Sequence, residues 1–346
     1  MRCAPRWAVI LWRVGSVGII ANPSAGKDIR RLVAQASTFD NLEKVNIVRR
    51  VLVGLKASGV DEVLFMPDAF AIVKRALHHL DGAPSTRPLD DVDPTFTDRD
   101  STCAATLMRE QGTQCIVTLG GDGTNRAVAK GCGQVPLVAI STGTNNVFPQ
   151  LMEGTIAGLA AGAVARGIVD LDRVARPRLC LEVMRDGQRI DLALVDVAVC
   201  TDRFVGARAV WDPTAIRQIV ATSARSDVLG LSSVGAFLPG VHVGPEEGLM
   251  LEIGEGGDRV VAPIAPGLLT PVDVASYRVL RVGEVVDLAS TTGVLALDGE
   301  RDWPLDPAVR LQIRLSDKGP RVVDVPAALR QAVEQGLYLL NDSRTG

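Results

Sequence analysis

Histidine is scarce in this chain of 346 residues, which holds only His78, His79 and His242. So few leave little from which to build a zinc site, and no metal centre made of protein ligands alone is expected. The six cysteines, Cys3, Cys103, Cys115, Cys132, Cys180 and Cys200, contain no CxxC pair. In a chain of this length that scatter reads as a reduced, cytoplasmic protein, not a disulfide scaffold. No basic stripe accompanies the formal net charge of −3, so nucleic acid is not an expected partner. Long apolar runs are missing too. The stretch WAVILWRVGSVGII is apolar, but Arg13 interrupts it and its 14 residues are too few to span a bilayer. Residues 1–15 read as a ragged extension, and no membrane contact is expected. The expected partners are a small molecule and further copies of the chain.

What is present is apolar: 47% of the residues, enough for two domains that each bury a full core. Strand and helix patterns alternate over residues 16–168. VGIIANP, DEVLFMP, QCIVTLG and VPLVAIS read as strands. DIRRLVAQA, NLEKVNIVRRVLVGLKASG, AFAIVKRALHHL and STCAATLMREQG read as helices, with another from about Asn125. Residues 82–100, rich in Pro and Asp, read as a loop or extended connection. Such alternation argues for a doubly wound parallel sheet with helices on both faces. The period then changes. Over residues 169–318, RLCLEVMRDGQRIDLALVDVAVC reads as two strands joined at Asp186-Gly187. Further short strands follow, GVLALDGE among them, giving an antiparallel β-domain. Residues 319–346 read as a strand and a helix, capped at Asp324 or Val325, that return to the first domain.

Three loops follow strands of the first domain and carry the chemistry. In LGGDGTN (119–125), Gly120, Gly121 and Gly123 let a phosphate approach the backbone at a helix N-terminus, where free N–H groups and the helix dipole favour an anion. Thr124 can cap the helix or touch phosphate. Asp122 stands out, since a carboxylate repels phosphate unless Mg²⁺ or a hydroxyl lies between them. A base for phosphoryl transfer fits that place, and so does a carboxylate that only stabilises the turn. In ISTGTNNVFP (140–149), Ser141, Thr142, Thr144, Asn145 and Asn146 offer hydroxyls and amides, and Gly143 offers backbone; the same composition suits an Asn-rich cap. ANPSAGKD (21–28) departs from the Walker A loop at Ala21 and Asp28, yet Asn22, Ser24 and Lys27 can still reach phosphate. Arg203 and Arg208, after ALVDVAVC, suit either a phosphate clamp or a solvated loop. His242 reads as structural.

Taken together, NPSAGK, GGDGTN and TGTNN, each after a strand, resemble the superfamily of NAD kinases and diacylglycerol-type lipid kinases. More narrowly, GIIANPSAGKDIRRLVAQAS, GTNNVFP and VCTDRFVGARA resemble the acetoin catabolism protein X family, an NAD-kinase-like branch. The resemblance spans about residues 16–340. It implies an α/β nucleotide domain paired with an antiparallel β-sandwich, and ATP- and Mg²⁺-dependent phosphorylation of a hydroxyl. It implies nucleotide binding by Asn22, Ser24, Lys27, Gly120, Gly121, Gly123, Thr124, Asn125, Thr142, Gly143, Thr144, Asn145 and Asn146. By the same resemblance Asp122 and Glu300 are the candidate acids or bases, Glu300 standing in LDGE as the lipid kinases have it, and Asp196 and Asp298 are candidate substrate contacts. Two features depart from the NAD-kinase pattern. Val195 and Asp196 stand where NAD kinases carry Asn-Glu, and STGTNN is nearer the lipid-kinase form. NAD is the leading acceptor; a lipid or acetoin-related hydroxyl and a nucleotide sensor without turnover stay open.

Overall fold

A computed structural model describes residues 15–26, 39–78, 80–90, 92, 94–201 and 213–339. The helix expected over DIRRLVAQA lies outside these, as do Lys27, His79, Arg203 and Arg208.

In the first domain, β1 (Ser16–Ala21) leads to α1 (Asn41–Ala57), β2 (Glu62–Phe65), α2 (Ile72–Leu77) and β3 (Ser85–Pro88). Then come α3 (Asp98–Glu110), β4 (Cys115–Gly120), α4 (Asp122–Gly131), β5 (Leu137–Ser141), α5 (Gly154–Ala165), α6 (Leu171–Val174) and β6 (Ala175–Pro177). Every residue of β4 and β5 is buried. Strands so covered need helices on both faces, which their unbroken apolar runs foreshadow. One face packs Val17, Ile19, Val117 and Ile140 against α1 and α5; the other packs Ile20, Leu64 and Ile116 against α3 and α4.

The second domain is made of β7 (Cys180–Arg185), β8 (Gln188–Ala193), β9 (Asp196–Cys200), β10 (Ile216–Ala221), β11 (Glu247–Ala265) and β12 (Leu268–Arg281). It continues with β13 (Val285–Asp287), β14 (Gly293–Leu297), β15 (Glu300–Leu305) and β16 (Leu311–Ser316), before β17 (Arg321–Val323) and α7 (Val325–Glu334) close the chain. A sheet ordered β12-β11-β10-β9-β14-β15 faces one ordered β13-β16-β7-β8, and Leu181, Val183, Val197, Leu295 and Ile313 fill the space between them. The pairings within both are antiparallel, so the domain is a β-sandwich.

The first sheet runs β3-β2-β1-β4-β5-β17-β6. In that sheet β17 lies parallel to β5, with β6 antiparallel beyond it. Residues 175–177, read as part of a β-domain over 169–318, therefore pair into the first sheet. Three local expectations are corrected. The stretch 178–200 holds three strands, not two. Residues 82–100 include β3, a short edge strand that pairs parallel to β2. Helix α4 begins at Asp122, three residues before Asn125, so the glycine motif lies largely within its first turn. Among the described residues no helix is long and apolar enough to cross a membrane.

Candidate active site

In a parallel sheet the loops that leave the carboxyl ends of the strands open on one side. Here the loops after β1 to β5 line a cleft of 710 Å³, and the turn between β14 and β15 closes it with Asp298 and Glu300. Most of the candidate residues that the structure describes meet in it: Asn22, Ser24, Gly121, Asp122, Gly123, Thr124, Thr142, Gly143, Asn145, Asn146, Asp298 and Glu300 line the wall.

The glycine loop is built for close approach. Gly121 is the N-cap of α4 in an extended conformation and supplies no capping side chain. A Cβ at Gly121 would lie 2.7 Å from Asn146 Oδ1, and one at Gly123 would lie 3.2 Å from Glu300 Oε1. The glycines thus admit the 142–148 loop on one side and the β-sandwich acid on the other. At Gly120 a Cβ would meet the side chain of Thr124. Thr124 does not cap the helix; its Oγ1 accepts a hydrogen bond from Asn22 Nδ2 at 2.9 Å, which ties α4 to the loop after β1.

Asp122 anchors a loop. Its carboxylate accepts from Val147 N at 3.1 Å and Phe148 N at 2.8 Å. Val147 and Phe148 in turn pack on Leu192, Leu194 and Val195 of the β-sandwich. Carboxylate, loop and sandwich form one mechanical chain. Glu300 begins β15 on the wall facing the glycine loop, so of the two acids expected to do chemistry it is the one aimed across the cleft.

Asp298 is an organiser. It adopts φ 52° in the left-handed region with Gly299 at 75°. Its buried carboxylate accepts from Leu194 N (2.9 Å), Val195 N (2.7 Å) and Asp196 N (3.3 Å), and it faces Arg126 Nε at 3.6 Å. Burial pushes its carboxyl up from the ordinary value, against the pull of Arg126 and the three amides. Arg126 was absent from the sequence reading. A signal for it existed: Asp122, Arg126 and Lys130 recur at intervals of four, one face of α4. Lys130 Nζ meets Asp191 Oδ1 at 2.7 Å, and Trp303 Nε1 donates to Asp191 Oδ2 at 3.0 Å. Burial alone would raise the Asp191 carboxyl, but the Lys130 ammonium and the Trp303 and Leu192 hydrogen bonds bring it below the usual range. Helix α4 is therefore bolted to the sandwich at its N-terminus, middle and C-terminus.

Lys44 was also missed. Fully buried on α1, its ammonium donates to Asn22 O (2.9 Å), Pro23 O (3.3 Å), Ala25 O (2.7 Å) and Asn41 Oδ1 (3.0 Å). It fixes the shape of the 22–26 loop, which an apolar residue at a buried position of α1 could not do.

Four candidates sit elsewhere than expected. Asn125 is wholly buried, accepting from Thr118 Oγ1 at 2.7 Å and donating to Gly121 O at 2.9 Å, so it serves the turn and not a ligand. Asp196 is buried and lies outside the cleft wall; its carbonyl accepts from Asp298 N at 2.9 Å. Thr144 is exposed and off the wall, and Gly120, buried at the end of β4, is off it too. Thr142 is the reverse case. It is buried on the wall, and its Oγ1 has no hydrogen-bond partner among the described residues. A buried hydroxyl left so is costly without a ligand or water to meet it.

Among the described residues no cluster of three His, Cys, Asp or Glu could hold a metal ion. Mg²⁺ with a nucleotide needs only one or two carboxylates besides phosphate oxygens, and Glu300 and Asp122, which line the same cleft, fit that need.

A parallel-sheet domain with a glycine loop at a helix N-terminus, facing an acid from a β-sandwich, defines a kinase-like protein of the NAD kinase type. Residues 17–168 match the ATP-NAD kinase N-terminal domain, and residues 179–318 the acetoin catabolism protein X C-terminal domain. The acetoin catabolism protein X of Cupriavidus necator is 40% identical over 329 residues, covering 91% of this chain and 92% of that protein. The chain belongs to the acetoin catabolism protein X family. A solved structure described as a diacylglycerol kinase from Bacillus anthracis str. Sterne covers 89% of this chain and 98% of its own at 13% identity, with a TM-score of 0.40, too loose a likeness to carry an argument.

Proposed function

We propose that the chain transfers the terminal phosphoryl group of ATP to a hydroxyl of a small molecule, with Glu300 as the base. The observation that carries this reading is the meeting of the glycine loop, the buried Thr142 hydroxyl and Glu300 across one cleft. The glycine loop and the N-terminus of α4 hold the phosphates. The acceptor oxygen forms its bond to phosphorus as the bond to the β-phosphate breaks, and Glu300 takes the hydroxyl proton. Asp122 keeps the 142–148 loop in place through Val147 and Phe148. Asp122 or Glu300, with phosphate oxygens, would hold the Mg²⁺ that accompanies the nucleotide, and the ion would supply charge neutralisation at the transferring group.

NAD is the first acceptor to try. The departure at Val195 and Asp196 and the position of Asp196 off the cleft wall favour a second, smaller hydroxyl compound, which the family's link to acetoin also suggests. A mass-spectrometric screen with ATP and Mg²⁺ across NAD, diacylglycerol and acetoin-derived alcohols tests the reading. A phosphorylated product supports it and names the acceptor. ATP bound with no product from any of them would make the protein a nucleotide sensor.

A further inference from the structure

The strand order divides the cleft in a way that gives a nucleotide an orientation. Along the sheet the loops follow β3, β2, β1, β4 and β5. The phosphate-cradling loops leave β1 and β4, and Asp298 and Glu300 stand against α4. The loops after β2 and β3 therefore form the other end of the cleft, with β3 three strand spacings from β4, about 14 Å away. That end bears two phenylalanines, Phe70 and Phe96.

Their settings differ. Arg75 stacks on the Phe70 ring at 4.1 Å from its centroid, and Phe70 packs on the core beneath α1. Phe96 is 71% exposed, among the most exposed large apolar side chains of the described residues, yet it lines the cleft. Its backbone has φ 60°, a left-handed conformation uncommon for an aromatic residue. The buried Asp100 holds it there: its carboxylate accepts from Phe96 N (2.8 Å), Thr95 N (2.9 Å) and Thr95 Oγ1 (2.6 Å). A chain that strains its backbone to keep an aromatic ring out of the core and on a cleft wall is displaying that ring to something flat.

We propose that Phe96 is the seat of the heteroaromatic base of a bound nucleotide, with the phosphates running from it to the glycine loop. This rests on the nucleotide reading of the cleft. Adenine occurs in both ATP and NAD, so the ring alone does not say which molecule supplies it. Base-on-aromatic stacking tolerates different bases and is lost when the ring is removed.

Calorimetric titration of ATP, NAD and inorganic tripolyphosphate into wild type, Phe96→Ala and Phe96→Trp tests the seat. Because Phe96 is exposed, both variants should fold, which thermal unfolding checks. Phe96→Ala should weaken ATP binding roughly 5- to 150-fold while tripolyphosphate affinity is unchanged, and Phe96→Trp should bind ATP at least as well as wild type. The same loss with NAD in place of ATP would also support the seat and give it to the acceptor. Wild type that binds neither ATP nor NAD more tightly than Phe96→Ala does would overturn the seat and leave the nucleotide reading standing. Tripolyphosphate lost in parallel with ATP would also overturn it, because Phe96 would then act on the loops. Wild type that binds none of the three would overturn the nucleotide reading and the seat with it.

Discussion

The chain makes the same turn twice. Asp186-Gly187 joins β7 to β8 with φ 52° and 76°, and Asp298-Gly299 joins β14 to β15 with φ 52° and 75°. Both are two-residue hairpins of the kind that Asp-Gly favours. At the first, the aspartate is exposed and nothing lies within 4 Å of a Cβ placed on the glycine. At the second, the aspartate is buried, holds three amides and an arginine, and delivers Glu300 to the glycine loop. Local sequence sets the turn; the helix that docks on it sets the role. A turn signal alone cannot tell a connection from an active-site corner.

The comparison breaks most visibly under alanine. Asp298→Ala leaves Arg126 and three buried amides without their carboxylate, and should cost about 3–5 kcal/mol in chemical denaturation. Asp186→Ala should cost about 1 kcal/mol or less. Equal losses would mean the two turns are the same after all.

Lys44→Met probes the other wall. Three carbonyls and the Asn41 amide oxygen lose their ammonium, a loss on the order of 1–3 kcal/mol for a buried acceptor. ATP affinity should fall with it, since Asn22 and Thr124 lose their fixed loop. Unchanged affinity in a folded Lys44→Met protein would detach that loop from the nucleotide.

Asp122→Asn keeps the shape but weakens the charge-assisted bonds to Val147 and Phe148. It should cost about 1 kcal/mol and speed hydrogen exchange at those two amides. Exchange unchanged at both would remove the anchoring role.

The smallest effect is one of pH. The folded-state carboxyl of Asp191 lies below its unfolded value, so its contribution is present above about pH 4 and fades as pH falls through the lower folded value. The stability difference between wild type and Asp191→Asn should therefore shrink as pH drops below about 4. A difference that stays constant through that range would show that the contact with Lys130 contributes nothing.

Much of this was legible in the chain itself. Buried parallel strands write themselves as apolar runs, and the loops that follow them were read with nearly the right contents. The misses have physical reasons. Strand β3, Ser85–Pro88, is an edge of four residues with no apolar run, so Pro and Asp around it read as loop. Strand β15 carries charges and hides behind its turn. Asn125 is as polar as any ligand-binding residue, but its partners, Thr118 and Gly121, are internal. Asp122 read as the leading base with Glu300 second to it, because only packing shows that one faces the Val147 and Phe148 amides and the other faces across the cleft.

That last distinction is the central claim, and one paired measurement tests it most directly. On the acceptor identified by the screen, phosphoryl transfer and ATP affinity are measured for wild type, Glu300→Gln and Asp122→Asn. The account predicts transfer slowed about 10²- to 10⁴-fold in Glu300→Gln, the range general-base catalysis supplies, with ATP affinity little changed. Near wild-type transfer in Glu300→Gln, beside a loss of that size in Asp122→Asn with the 142–148 loop still protected, would contradict it and make Asp122 the base.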